Sequence, residues 1–229
     1  MIGLVIAFTV LSVWLSHLLY CLNFVQPFEN ILLSIIHTLI QAYLFTGLFI
    51  TAHDAMHGTV SRNETINKII GTIACFLFAG LSYKRLIRSH ALHHKHPTDT
   101  EKDPDFHHSN NYLIWFFSFM VRYTTISQLV IMAITFNVLK IWFLESSIIF
   151  FWVVPSLIGT LQLFTFGTYF PHKKPHTTTM QPHFARSLRK NHFVAMLTCY
   201  FFGYHSEHHQ YPHIPWWKLY SIKTNQLER

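Results

Sequence analysis

The chain has 229 residues, 51% hydrophobic and only 12% charged, about half the charge of an average soluble domain. That balance excludes an ordinary soluble core and points to one membrane-embedded domain over residues 1–229. The net charge of +7 is not gathered into a basic stripe with interleaved aromatics, which argues against nucleic-acid binding. Cys21, Cys75 and Cys199 form no Cys-x-x-Cys pair, so a zinc knuckle or redox dithiol is unsupported.

In chain order, residues 2–22 are apolar and long enough to cross a bilayer. No basic n-region or small-residue cleavage site precedes or follows them, so they read as a retained span. Residues 23–30 contain Pro27 but no Lys or Arg, as expected for an outer loop. Residues 31–52 cross back and deliver His53. Residues 66–82 are apolar but only 17 long, interrupted by Gly71 and Gly80. A full crossing there would place the next histidines on the opposite side, so a re-entrant or surface-lying helix is expected. Residues 112–121, ended by Arg122, read as interfacial. Residues 126–144 and 148–170 form a second hairpin, with Glu145 in its outer loop. Residues 193–203 are too short to span, and Trp216-Trp217-Lys218 has the composition of an interfacial anchor.

The expected fold is all-α and integral to the membrane. It has four transmembrane helices in two hairpins, short interfacial or re-entrant helices, and a cytoplasmic-side histidine-rich cap. No Lys or Arg precedes Arg62, and every basic residue but Lys140 flanks or follows a histidine cluster. The positive-inside rule therefore puts the histidine face in the cytoplasm, at the cell inner membrane.

Three of those clusters carry the chemistry. They are His53-Asp-Ala-Met-His57, His90-Ala-Leu-His93-His94 and His205-Ser-Glu-His208-His209. Spacings of three and four residues put the rings on one helix face. Eight imidazoles exceed the need of one tetrahedral zinc and fit two metals sharing a site. Neutral imidazole suits Fe, Zn, Cu and Ni, and spacing does not choose among them. Asp54 is expected to orient a ligand ring through its free N–H. Asp103 and Asp105 are balanced between that role and plain surface charge. His172, where the last span emerges, is the ninth candidate. His183 and His192 are weaker candidates, and His96, His107, His108, His176 and His213 read as surface residues. His37 lies 16 residues before His53, roughly 24 Å along a helix. It cannot reach the clusters and reads, with His17, as a polar contact between spans.

At these residues the chain resembles the membrane histidine-box di-iron oxygenases and desaturases, and within them the bacterial-type β-carotene ketolases. The resemblance runs through His53-Asp-Ala-Met-His57-Gly58 and His90-Ala-Leu-His93-His94-Lys-His96-Pro97, which leads to Asp103-Pro-Asp-Phe106. It continues in Phe166-Gly-Thr-Tyr-Phe-Pro-His172, in Phe202-Gly-Tyr-His205-Ser-Glu-His208-His209 and in Pro215-Trp-Trp217. The boxes specify the superfamily, and the strings around His172 and Pro215 favour a ketolase.

The resemblance implies two Fe2+ ions, O2 as co-substrate and nine ligands: His53, His57, His90, His93, His94, His172, His205, His208 and His209. It implies oxidation of the C4 methylene of β-ionone rings to a ketone, by two hydroxylations and loss of water. That would carry β-carotene to echinenone and canthaxanthin, and zeaxanthin to astaxanthin. The substrate would lie in the bilayer among membrane lipids. With no Gly-x-Gly-x-x-Gly motif and no haem segment in the sequence, a separate ferredoxin-type donor is expected. Two positions depart from the family. Ser206 stands where an extra histidine is common, and His183-Phe-Ala-Arg-Ser187 has Phe184 where Asn is typical. The alternatives are a carotenoid hydroxylase, a small acyl-lipid desaturase and, outside enzymes, a metal-binding or transport protein.

Overall fold

The computed structural model describes residues 1–225, and every regular element among them is helical. Helix α1 (Ile2–Phe24) and helix α2 (Ile31–Met56) form an antiparallel hairpin. Asn30 starts α2 by accepting the Leu33 N–H at 3.0 Å, the usual use of a side-chain cap. Trp14, Leu18 and Cys21 of α1 face inward, while Ile2, Val5 and Phe8 are exposed, the lipid-facing pattern of a span. α2 is the central post: Phe45, Leu48, Ile50 and Ala52 are fully buried under α1, the third helix and the long helix that follows residue 145. At 26 residues it is about 39 Å long, more than the roughly 30 Å hydrocarbon layer. Its last turn can therefore carry histidines past the apolar zone.

Helices α3 (Glu64–Ala79) and α4 (Tyr83–Lys95) meet at a bend of 100°. Gly80 ends α3 in the left-handed region, φ 65°, where a side chain would be strained. Ser82 then caps α4 through the Arg85 N–H. The corner is close: a Cβ on Gly71 would lie 2.2 Å from the Tyr83 ring. Helices α5 (Tyr112–Tyr123) and α6 (Ile126–Leu139) make a second corner of 84°, restarted by a capping box between Thr125 and Gln128. Among the described residues three helices are long and apolar enough to cross a membrane, or up to five if each bent pair counts as one span.

The second expected hairpin differs in detail. α6 stops at Leu139 after 14 residues, about 21 Å, and residues 140–144 form a turn instead of more helix. Lys140 pairs with Glu145 across that turn at 2.7 Å. Glu145 is not in a loop but opens the next helix, where a negative charge suits the exposed N–H groups. Hydropathy could not locate this stop, because the turn is as apolar as the helix before it.

That next helix, α7, runs continuously over Glu145–His172 and contains two π segments, Ile149–Val153 and Phe164–Tyr169. Each ends two residues before a proline, Pro155 and Pro171. A proline inside a helix lacks an N–H and crowds the carbonyl four residues back. A local π turn absorbs the misfit and re-aims the following residues, as π-bulges at functional sites do. His172 is the last residue after the second of these turns.

Three short α-helices follow among the described residues: α8 (His192–Cys199), α9 (His205–Gln210) and α10 (Leu219–Asn225). α8 has eight residues, in keeping with the expectation that residues 193–203 do not span. Trp216 is not an interfacial anchor. It is buried, its ring meets Tyr200 edge-on at 5.1 Å, and its backbone N–H reaches Asp54.

Candidate metal centre

The last turn of α2, the C-terminal half of α4, the end of α7 and all of α9 converge. Helical spacing brings each cluster's rings to one face, and the nine histidines then sort into two groups. His53, His57, His90, His94 and His208 form the first, and His93, His172, His205 and His209 the second. Within each group, one ring nitrogen per residue lies within 4.8 Å of all the others. α4 divides its trio, sending His90 and His94 to one group and His93 to the other. α9 likewise sends His208 to the first, and His205 and His209 to the second.

The nitrogens meet tip to tip. His57 Nε2 is 2.7 Å from His90 Nε2, His53 Nε2 is 3.2 Å from His208 Nε2, and His94 Nε2 is 3.0 Å from His208 Nε2. In the second group His93 Nε2 and His205 Nε2 each stand 3.1 Å from His209 Nε2. Metal–imidazole bonds of about 2.1 Å set neighbouring donors about 3.0 Å apart at right-angled coordination and about 3.4 Å apart at tetrahedral coordination. The observed separations match the edges of such polyhedra.

Two outward nitrogens have acceptors that fix their hydrogens. His172 Nδ1 lies 3.1 Å from the Phe184 carbonyl. A carbonyl only accepts, so Nδ1 carries the hydrogen and Nε2 is a bare lone pair, buried without a partner among the described residues. His93 Nδ1 lies 3.0 and 3.1 Å from the two oxygens of Asp103, which fixes the hydrogen on Nδ1 and turns Nε2 inward. Burial, and then neighbouring histidines, hold His205, His208 and His209 well below the ordinary imidazole range, so these rings are neutral donors. This donor chemistry fits a pair of buried metal ions.

Asp103 does what the sequence left open for it. It is buried, accepts the Thr98 and Asp105 N–H groups at 2.8 and 2.9 Å, and holds His93. Asp105 accepts the Tyr123 hydroxyl and lies 3.8 Å from His93 Nδ1. Asp54 does not make the ring hydrogen bond expected of it. Its nearer oxygen is 3.7 Å from His53 Nδ1, too long, and its other oxygen accepts the Trp216 N–H at 3.2 Å. Asp54 therefore ties the C-terminal segment to α2. Glu207, between the third-cluster histidines, accepts from Lys223 at 2.8 Å and from the Ser187 hydroxyl. Arg186 caps the end of α7 through the Lys173 and Pro175 carbonyls. Sequence reasoning missed the parts played by Ser187 and the Phe184 carbonyl. Only the His183-Phe-Ala-Arg-Ser187 string hinted at them.

The remaining histidines stay apart. His183 is half-buried and lies at the edge of the cluster, its ring 5.7 Å from that of His209. His192 bonds Tyr204 and Thr224, and His176 donates to the His172 carbonyl. His17 and His37 contact each other at 3.1 Å within the first hairpin, the inter-helix contact expected of them.

A cavity of about 330 Å³ opens against both groups. His53 and His90 of the first and His93 and His205 of the second form its inner wall, and Phe49, Phe78, Leu163 and Phe202 line its sides. Leu129 of α6 and Leu157 of α7 also line it, yet both are more than half exposed. Its mouth therefore opens sideways, between α6 and α7.

The fatty acid desaturase family matches this chain over residues 29–136 and 120–227. A β-carotene ketolase from Paracoccus sp. (strain N81106 / MBIC 01143) is 35% identical over 97% of this chain and 92% of its own length. A zeaxanthin 4-ketolase from Chlamydomonas reinhardtii is 37% identical over 99% of this chain, and a β-carotene 4-ketolase 3 from Haematococcus lacustris is 38% identical over 79%. The chain spans only 54% and 59% of those two algal proteins. No solved structure matches. The chain belongs to the fatty acid desaturase family and, within it, to the β-carotene ketolases.

Proposed function

We propose that the chain acts as a single membrane domain that oxidises the C4 methylene of a β-ionone ring to a ketone, on a carotenoid drawn from the bilayer. The observation that carries this is the cavity. Its inner wall is four histidines from both groups, its sides are apolar, and its mouth faces the lipid. Such a shape accepts one apolar ring end-on while the polyene trails out between α6 and α7.

Each oxidation consumes one O2, two electrons and two protons and releases one water. The first converts the ring CH2 to CHOH and the second gives a geminal diol, which loses water to leave C=O. Two iron ions held by His53, His57, His90, His94 and His208, and by His93, His172, His205 and His209, would supply the O2 activation and hydrogen abstraction. The chain's own residues do the rest. Asp103 and the Phe184 carbonyl fix two ring orientations. Phe49, Phe78 and Phe202 keep water from the ring. The apolar walls hold one carbon against the histidine end.

We read four spans from the positions of the ends, and the distribution of Lys and Arg supports putting the histidine cap in the cytoplasm. The start of α7 lies beside the end of α1, where the Ser147 hydroxyl reaches the Val25 carbonyl at 3.5 Å. Tyr123, two residues before the capping residue of α6, lies beside Asp105 and the histidines. These two contacts support reading residues 126–144 as a crossing from the histidine end of the bundle to the other, despite the early end of α6. Lys84, Arg85 and Arg88 are exposed on α4 and would dock an acidic ferredoxin-type donor. Expression in cells that accumulate β-carotene tests the reading. Ketones at C4 are the expected product, and unchanged β-carotene with the protein present in the membrane would overturn it.

A further inference from the structure

Thr168 sits in the second π segment of α7, four residues before His172. It is 6% exposed and lines the cavity with His53, His90, His93 and His205. Threonines inside helices ordinarily return their hydroxyl to the carbonyl four residues back. Thr38, Thr46, Thr51, Thr160, Thr165 and Thr198 all do so here, at 2.7 to 3.2 Å. Thr165 does it from the same π segment. Thr168 does not: its hydroxyl has no hydrogen-bond partner among the described residues. The backbone around it is pinned, because a Cβ on the neighbouring Gly167 would lie 2.4 Å from the Phe202 ring.

An unpaired hydroxyl on the wall of a mostly apolar cavity calls for a partner brought by the ligand. An unsubstituted hydrocarbon ring offers none. The ring acquires its first hydrogen-bonding group when an oxygen is placed on it. We propose that Thr168 is a positioning residue for the half-oxidised substrate: its hydroxyl bonds the C4 oxygen after the first oxidation and keeps that carbon at the histidine wall for the second. This rests on the reading that the cavity takes a carotenoid ring. It explains how a site built for a hydrocarbon retains a more polar product long enough to oxidise the same carbon twice.

The test compares Thr168→Val, which keeps the shape and removes the hydroxyl, with Thr168→Ser, which keeps the hydroxyl. Products are measured in β-carotene-accumulating cells as the ratio of C4 ring alcohol to C4 ketone. The expected result is a ratio raised about two- to tenfold in Thr168→Val, the loss of one neutral hydrogen bond, and restored in Thr168→Ser. The second readout needs no turnover. The full chain in lipid nanodiscs, without reductant, is titrated with a β-ring carotenoid carrying a C4 hydroxyl and followed by tryptophan quenching. Thr168→Val should weaken that binding by a similar factor, and Thr168→Ala serves if the valine variant fails to accumulate. An unchanged ratio with unchanged binding overturns the proposal, as does a fall in total oxidation at constant ratio, which marks a scaffold role. Absence of ketone from the unaltered chain would instead overturn the ketolase reading.

Discussion

Imidazoles approach one another across helices in two places, and the two differ in what the nitrogens do. In the first hairpin, Gln41 is fully buried and its amide nitrogen reaches the Trp14 carbonyl, so its oxygen faces His17 Nδ1 at 2.5 Å and accepts that hydrogen. His17 Nε2 is then a lone pair, satisfied by the His37 Nδ1–H at 3.1 Å. Cys21 lies 3.8 Å from both His17 nitrogens. This is a relay in which each donor finds an acceptor, a polar staple between two lipid-facing helices. At the other end of α2, the acceptors lie on the outside, at Asp103 and Phe184, and the lone pairs point inward at one another. At His93 and His172 the outward nitrogen is spoken for and the inward one is not, the arrangement that suits a metal ligand and that the first hairpin lacks.

The largest test of that contrast is a pair of alanine replacements. His93→Ala should abolish ketone formation and lower bound iron, measured by metal analysis of purified membrane protein. His37→Ala should keep both within about twofold. Full activity in the first or loss of iron in the second would erase the distinction. Next in size is Asp103→Asn, which preserves shape but gives His93 a neutral partner able to present the wrong group. Metal affinity or turnover should fall about 10- to 100-fold, read by competition with a chelator. A smaller effect belongs to the staple. His37→Ala leaves the His17 lone pair without its donor and should cost about 0.6 to 1.7 kcal/mol of stability, seen as a lower melting temperature with activity intact. The smallest concerns Phe184, held at φ 45°, a region that asparagine tolerates and bulky residues do not. Phe184→Asn should stabilise by up to about 1 kcal/mol while its carbonyl still faces His172. A fall in melting temperature would show that the contact of its ring with His176 outweighs the backbone strain.

Much of the site was legible because helical periodicity is local. Spacings of three and four residues fix which rings share a face, so His53 with His57 and the two trios could be paired from the sequence alone. His172 followed from its place at the end of a span. The second layer was not legible. Asp103 stayed balanced between ring partner and surface charge, because its role depends on a loop that folds ten residues back onto His93. Asp54 sat inside a cluster and looked the better candidate, yet α2 turns its carboxylate toward Trp216. Glu207 lies between ligand candidates and faces away from them, to Lys223 and Ser187.

The sequence by itself determined the membrane class, the helical character and the histidine faces, since hydropathy and periodicity are properties of consecutive residues. Only the tertiary structure decided how the nine imidazoles divide into five and four, which carboxylate holds which ring, and where the apolar cavity opens. Those depend on two corners, two π turns and the approach of segments more than a hundred residues apart. No local pattern encodes such distances.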